Sequence, residues 1–331
     1  MTRRRRVAVA VGVVAVLLLP LGLFLGSVPL TPGEVLAVLG GGGADAHRDI
    51  LLGIRLPRLL LASVLGGGLA MAGATFQALL RNPLAEPYIL GVSGGAAVGA
   101  VSVLALGLTT LGSFTLPLAA FAGALLAIVL VFRVATAAGR ALDVRVLLLA
   151  GVVVGAFFAA IISFILAISD ARTVRTAVLW MMGTLYGAGW GDVAVVTLYS
   201  APALVLLMGL ARALNTLAVG EETALYLGTD VERVKRIAFG AASLVTAAGV
   251  AVAGVIGFVG LVVPHALRLL VGSDHRTLLP LSFLVGAAFL TGADMAAQAL
   301  LSPTEIPIGV VTARVGVPIF RVLLRRRVAA G

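Results

Sequence analysis

The sequence predicts an all-α protein that crosses a membrane about ten times. Hydrophobic residues make up 61% of the 331 residues and charged residues only 11%, whereas about 25% of the residues of a typical soluble domain are charged. A membrane-spanning helix needs about 20 mostly apolar residues. The apolar runs leave room for about ten such helices, so we expect one transmembrane domain over residues 1–331, surrounded by a lipid bilayer.

The first apolar run covers about Val7–Val28 and follows the basic run Arg3–Arg6. A signal peptide is the alternative, but the run is long enough to span and no Ala-x-Ala cleavage site follows it, which favours an uncleaved helix. An outer segment, Pro29–Leu56, then contains Gly40–Gly43, a run typical of a flexible loop. The remaining spans are predicted near residues 57–80, 90–109, 114–134, 145–168, 191–211, 232–256, 263–271, 278–300 and 307–324.

Two of the predicted elements are shorter than a full span. The stretch 263–271 cannot cross a membrane alone, so we expect it to be buried among other helices. Residues 171–189 contain basic side chains and a short apolar patch, which indicates a short helix at the outer face.

Basic residues concentrate on one side of the predicted membrane layer. With both termini placed inside the cell, eighteen of the 24 lysine and arginine residues fall on the cytoplasmic side, as the positive-inside rule requires. A net charge of +10 could suggest a nucleic-acid partner, but these residues lie between apolar runs. The sequence therefore predicts a multi-pass protein of the cell membrane with cytoplasmic termini and no nucleic-acid partner.

Several enzyme classes are excluded by what the sequence lacks. Lys235 is the only lysine and lies in Glu-Arg-Val-Lys-Arg, so the chain has no Walker A sequence to hold ATP phosphates. It has no cysteine, and His47, His265 and His275 form no His-Glu-x-x-His pair. We expect no catalytic residue, no metal site and no bound cofactor, so the energy for any work must come from another subunit or from a gradient.

A polar island at residues 217–231 separates two long apolar runs. Gly220 and Gly228 bracket about two helical turns of sequence. Glu221 and Glu222 stand at the start, where a helix favours negative charge, and the second glycine suits a left-handed C-cap. The pattern favours a short helix that lies on the membrane surface and faces a partner, with an ordinary loop as the alternative.

Polar residues also mark both ends of the second span. Arg55 and Arg58 flank Pro57 at its outer end, against the charge rule. They are expected either to bind carboxylates of an extracytoplasmic protein or to reach the interface as snorkelling side chains. At the inner end, the sequence Arg81-Asn-Pro-Leu-Ala-Glu-Pro-Tyr contains two prolines and predicts a rigid turn.

Three motifs are long enough to compare with known families. From Gln77 the chain reads Gln-x-x-x-x-Asn-Pro-Leu-Ala-x-Pro-x-x-Leu-Gly-x-Ser, and the polar island contains Gly-Glu-Glu-Thr-Ala-Leu-Tyr-Leu-Gly. The third begins at Gly257 as Gly-Phe-Val-Gly-Leu-Val-Val-Pro-His-Ala-Leu-Arg, followed later by Pro303-Thr-Glu-Ile-Pro. Together they resemble the FecCD (BtuC-like) permeases, the membrane subunits of ATP-binding-cassette (ABC) importers for iron complexes, haem and cobalamin.

This resemblance implies a BtuC-like permease fold that is moved by other subunits. Segment 217–231 would be the cytoplasmic contact with a separate ATPase, Arg55 and Arg58 would dock an extracytoplasmic substrate-binding protein, and Asn82 and Leu84 would narrow the inner exit. The residues that it assigns to ATPase coupling are Val219, Gly220, Glu221, Glu222, Ala224, Leu227 and Gly228. The implied partners are two ATPase subunits and a second permease copy, which is either identical or a close paralogue.

The cargo implied by the resemblance is a ferric siderophore, with haem or cobalamin as alternatives. A gradient-driven secondary transporter is the rival function, but it needs intramembrane ion ligands, for which the sequence offers chiefly Asp294 and Arg314. Arg314 is expected to pair with Asp294 or a helix C-terminus, or to face the path and attract an anionic cargo. The chain departs from the family at Gln298, where a third docking arginine is frequent, and at Val144 and Arg145, where some members carry hydroxyl residues.

Overall fold

Apolar helices account for most of the chain, as its composition requires. The structure, a computed structural model, describes residues 3–24, 28, 30–137, 143–302 and 304–328, and every regular element in these ranges is helical. Pro29 and Pro303 lie outside the described residues, as does the side chain of Val144. In chain order the α-helices are α1 (Arg3–Leu18), α2 (Leu21–Phe24), α3 (Pro32–Leu39), α4 (Asp45–Arg48), α5 (Leu56–Leu79), α6 (Val92–Ala105), α7 (Thr115–Ala137), α8 (Val144–Ala167), α9 (Ala171–Met181), α10 (Trp190–Gly209), α11 (Ala211–Val219), α12 (Glu221–Tyr226), α13 (Val231–Ala253), α14 (Val259–Val271), α15 (His275–Ala299) and α16 (Ile308–Val328).

Ten of these helices correspond to the ten predicted spans. Within the described ranges, seven helical stretches are long and apolar enough to cross a membrane, and α6 and α14 are shorter apolar helices. The last predicted span is α16, with 21 residues. Helix α14 begins at Val259, four residues before the predicted start, and its side chains are mostly buried, as expected for an element too short to span alone. The short helix expected within residues 171–189 is α9, which covers Ala171–Met181.

The first 56 residues contain more short helices than the sequence predicts. The first helix does not continue to residue 28, because α1 ends at Leu18 and Pro20, which has no N–H to donate, precedes the short helix α2. The outer segment contains short helices that the sequence did not indicate, since Thr31 and Glu34 form a capping box that starts α3. The predicted loop, Gly40–Gly43, lies between α3 and α4 and is not helical. A π-helical stretch, Asp49–Arg55, then leads directly into α5.

Helix α5 lies at the centre of the fold, with α10, α13, α14 and α15 packed around it. Its contact with α15 is close because glycine faces glycine. A Cβ atom added to Gly66 would lie 2.3 Å from the carbonyl oxygen of Gly286, and the reverse substitution would give 2.4 Å. Small residues permit such approach in a bilayer, where apolar surface alone does not drive helices together.

The two ends of α5 define the two ends of the molecule. The Arg58 end contains the start of α5 and the end of α15, and the Glu221 end contains the end of α5 with α11, α12 and the start of α13. Aspartate side chains accept hydrogen bonds from the first N–H groups of four helices, which explains where these helices begin. These caps are Asp143 of α8, Asp170 of α9, Asp230 of α13 and Asp274 of α15.

Candidate functional site: the Glu221 end and the Arg58 end

Two helices separated by a glycine form the predicted surface segment. Helix α11 ends at Val219, and α12 begins at Glu221. Gly220 between them has φ 154° and ψ 150°, a region largely confined to glycine. Gly228 has φ 77°, and the N–H of Thr229 donates to the carbonyl oxygen of Ala224 at 2.9 Å, which closes the helix in the way that a left-handed C-cap does. The prediction of a short helix is confirmed.

The outward face of α12 and its flanks is apolar and exposed. Tyr226 is 91% exposed, and the side chains of Val219, Leu225 and Leu227 are also exposed. Ala224 is fully buried within this chain, so it seats α12 on the bundle and is not available to a partner. Of the residues predicted for ATPase coupling, Val219, Glu222 and Leu227 have exposed side chains.

Glu221 points back into its own chain. One carboxylate oxygen, Oε2, lies 2.6 Å from Nζ of Lys235, which is 2% exposed. The other, Oε1, lies 3.5 Å from a guanidinium nitrogen of Arg81. Lys235 stands out in the sequence as the only lysine, but nothing in its spacing indicates that it is buried beneath Glu221.

The turn after α5 is tied to neighbouring elements, as its prolines and polar residues predict. Asn82 accepts a hydrogen bond from the N–H of Leu84 through its side chain at 2.9 Å, and the side chain of Leu84 is exposed. Glu86 accepts from the N–H of Phe258 at 2.6 Å, next to the start of α14. Gln77 donates its amide to carbonyl oxygens of both the turn and α14 at 3.3 Å. The turn is therefore hydrogen-bonded both to α5 and to the start of α14.

Four of the seven predicted coupling residues, Val219–Glu222, and the predicted exit residue Asn82 line the same cleft. It is open and has a volume of about 880 Å³. Its walls come from the turn after α5, the start of α8, the α11–α12 junction and α13. The lining residues are Leu80, Arg81, Asn82, Asp143, Arg145, Leu148, Val219, Gly220, Glu221, Glu222, Thr223 and Lys235.

At the Arg58 end, Arg58 is held in a buried ion cluster. Its Nε and Nη2 atoms donate to the two carboxylate oxygens of Asp294 at 2.9 and 2.8 Å. Its Nη1 and Nη2 atoms donate to the two oxygens of Glu305 at 2.9 and 2.8 Å. The side chains of Arg58 and Asp294 are only 11% and 7% exposed. Sequence reasoning considered Arg58 as a surface group and missed this cluster, because its partners lie more than 230 residues away.

Arg55 is also engaged within the chain. Its guanidinium donates to the carbonyl oxygens of Leu23 and Phe24 at 2.8 and 3.2 Å, and to that of Val28. These carbonyl groups lie at and beyond the end of α2, where a cation is favourable. Docking of a binding protein by Arg55 and Arg58 stays a prediction, and the structure gives both arginines internal hydrogen bonds.

Of the alternatives stated for Arg314, pairing with Asp294 is not observed, because the Asp294 carboxylate accepts its hydrogen bonds from Arg58 and Gln298. Arg314 lies on α16 with an exposed side chain, and no hydrogen bond or ion pair to another described residue is found for it. Its place along a cargo path stays a prediction.

The histidines have local contacts. His275 Nδ1 lies 2.7 Å from the side-chain oxygen of Asn215, and the ring of His265 packs edge-on near Phe320. Among the described residues, no group of three or more His, Cys, Asp or Glu side chains could hold a metal ion.

Comparisons with known proteins give a family. Residues 14–326 match the FecCD transport family. The chain is 43% identical over 287 residues to the cobalamin import system permease protein BtuC of Halobacterium salinarum, covering 86% of this chain and 76% of that protein. It is 38% identical over 286 residues to the hemin transport system permease protein HmuU of Yersinia pestis, covering 86% of this chain and 85% of that protein.

A solved structure has the same fold. It is described as an inward-facing conformation of an ABC transporter assigned to the metal-chelate type, and it matches with a TM-score of 0.88 and 29% sequence identity. The match covers 97% of this chain and 99% of that chain. The all-α, BtuC-like permease fold expected from the motifs is thereby confirmed, and this chain belongs to the FecCD transport family.

Proposed function

We propose that this chain is the membrane-spanning permease subunit of an ABC importer for a metal-chelate cargo. The observation that carries the proposal is the exposed apolar face of α12 beside the turn after α5 at residues 80–86, here named the exit loop. Exposed apolar surface rimmed by polar groups marks protein contacts, and here Tyr226, the last residue of α12, is 91% exposed on a helix that begins with two glutamates. Membership of the FecCD transport family supports an ATPase as the partner at this surface.

The remaining subunits follow from what this chain lacks. Without a Walker A sequence it needs separate ATPase subunits, and we propose two of them together with a second permease copy, identical or a close paralogue. The chain itself is then a transport subunit and not an enzyme. In the cell membrane its termini and the Glu221 end would face the cytoplasm, in agreement with the placement of its basic residues.

We further propose that an extracytoplasmic substrate-binding protein delivers the cargo at the Arg58 end. Arg55 and Arg58 are the predicted docking residues, and the partly exposed Glu305 lies beside them. The cargo is proposed to be a ferric siderophore. Haem and cobalamin are the alternatives, and the names of the two relatives, a hemin and a cobalamin permease, support their inclusion in the test.

Reconstitution in vesicles tests this function. The purified chain would be combined with its ATPase and binding protein, and uptake of a ferric siderophore, haem and cobalamin would be followed with and without ATP. We expect uptake of one cargo that requires ATP and the binding protein and persists when an ionophore dissipates ion gradients. Uptake that stops when the ionophore is added and does not depend on ATP would instead establish the rival function, a gradient-driven secondary transporter.

A further inference from the structure

One carboxylate at the start of α12 links three elements of the chain. The two oxygens of Glu221 are held by different partners, Oε2 by Lys235 of α13 at 2.6 Å and Oε1 by Arg81 of the exit loop at 3.5 Å. The neighbouring Glu222 is exposed. The two adjacent glutamates therefore have different environments, and of the two it is Glu221 that contacts the exit loop.

The contact between Glu221 and Lys235 is the fixed part of this link. Lys235 is 2% exposed, and Glu232 lies 3.7 Å from the same ammonium group. Glu221 makes the shorter of these two contacts, and a buried ammonium group is costly to separate from its nearest counter-charge, so displacement of Glu221 from Lys235 is disfavoured. Helix α12 and the first turns of α13 are expected to move together as one unit.

The contact between Glu221 and Arg81 is the part that can open. The Arg81 side chain is 48% exposed and its distance to Glu221 is longer than that of a hydrogen-bonded ion pair. Exposed pairs of this kind are weak, and breaking one leaves no charge buried. The two contacts of the Glu221 carboxylate thus differ in strength: the contact with Lys235 is strong, and the contact with Arg81 is weak enough to break when α12 moves.

Arg81 is joined to the predicted exit residues through a strained turn. Its φ of 47° is unusual for a residue with a Cβ atom. The N–H of Asn82 donates to the carbonyl oxygen of Gln77 at 3.1 Å, which closes the end of α5. Asn82 in turn holds the N–H of Leu84. A displacement of Arg81 would therefore also displace Asn82, its neighbour in the chain, and Leu84, which is hydrogen-bonded to the Asn82 side chain.

We propose that Glu221 is a positioning residue that transmits movement of α12 to the exit loop through Arg81, with Lys235 as its anchor. This inference rests on the proposed function, because the ATPase supplies the movement of α12. When α12 is displaced, Glu221 moves with α13, and its contact with Arg81 opens or closes, so the exit loop exchanges between two positions. Glu222, in contrast, faces the ATPase.

The test compares uptake per ATP hydrolysed in the reconstituted full complex. We expect Arg81→Gln to lower this ratio about fivefold to tenfold, in the range of typical coupling between sites, and Arg81→Lys to restore most of it. Arg233→Gln is the matched control, because Arg233 is an exposed arginine at the same end of α13, and it should keep the ratio. A merely structural role of Arg81 would lower uptake and hydrolysis in proportion, and an unchanged ratio in Arg81→Gln would overturn the proposal.

A second measurement reports on the loop itself. Since the chain contains no cysteine, Leu84→Cys can carry a single environment-sensitive fluorophore. Trapping the ATPase with ATP and vanadate should shift its emission, and Arg81→Gln should abolish that shift while Arg233→Gln keeps it. A shift that persists in Arg81→Gln would overturn the relay. Absence of ATP-driven uptake by the unsubstituted protein would instead overturn the proposed function, and this relay with it.

Discussion

Removing the guanidinium of Arg58 should destabilise the protein strongly. The structure shows four charge-assisted hydrogen bonds of 2.8–2.9 Å from this group to Asp294 and Glu305. In Arg58→Met both carboxylates lose their counter-charge, and Asp294, with a side chain only 7% exposed, keeps the amide of Gln298 as a donor. Breaking a buried ion pair from one side costs about 3–5 kcal/mol. Asp294→Leu in the Arg58→Met background removes the stranded charge and should recover part of this loss.

Thermal unfolding of the purified protein in nanodiscs measures the effect. For a chain of 331 residues, the usual unfolding entropy converts the expected cost to a fall of about 4–7 °C in melting temperature. Arg172→Met, which removes an exposed arginine of α9, is the control and should leave the melting temperature within about 1 °C. The contrary result would be that Arg58→Met has the same melting temperature as the Arg172→Met control but no longer binds the substrate-binding protein. The ion cluster would then contribute little to stability, and Arg58 would act in docking.

Three further substitutions test other parts of the molecule. Tyr226→Ser should weaken binding of the ATPase about tenfold or more, as loss of an aromatic anchor does, whereas Tyr186→Ser, at an exposed tyrosine of the opposite end, should not. The hydrogen bond from Asn215 holds the pKa of Asp274 below the ordinary aspartate value. The ionised Asp274 carboxylate therefore stabilises the folded protein fully at pH values above the ordinary aspartate pKa, and this stabilisation is lost as the pH falls through the lowered pKa. Asp274→Asn keeps a good N-cap, and its stability difference from the unsubstituted protein, measured by unfolding between pH 3 and about 7, should therefore shrink on acidification. Arg314→Leu should lower uptake if this exposed cation attracts an anionic cargo, and normal transport by the variant would remove that role.

Much of the helical architecture is readable from the sequence because a bilayer imposes it. Ten apolar stretches became ten helices, since backbone N–H and C=O groups in lipid must be satisfied within a helix. The helix boundaries that the sequence did not indicate, in the first 56 residues, are determined by a proline and by a capping box. Pro20 separates α1 from α2, and the Thr31–Glu34 capping box starts α3 in the outer segment, ahead of the predicted loop at Gly40–Gly43.

The side-chain network of the site could be predicted only in part. Gly220, Gly228 and the two glutamates predicted α12 correctly, because helix ends depend on neighbouring residues. The different orientations of Glu221 and Glu222 depend on Lys235, which pairs with Glu221. The burial of Lys235 follows from the packing of α13 and not from its neighbours in sequence. Long-range pairs of this kind leave no periodic signal in a single sequence.

The physical claim on which the proposed function depends is that α12 touches an ATPase on the cytoplasmic side. Because the native chain has no cysteine, Tyr226→Cys provides one attachment point for a short cross-linker, and Leu301→Cys, exposed at the Arg58 end, provides the control. In inside-out vesicles with purified ATPase, we expect a cross-linked product from position 226 and none from position 301. No product from position 226, or labelling of that position only from the outer side, would contradict the proposed function.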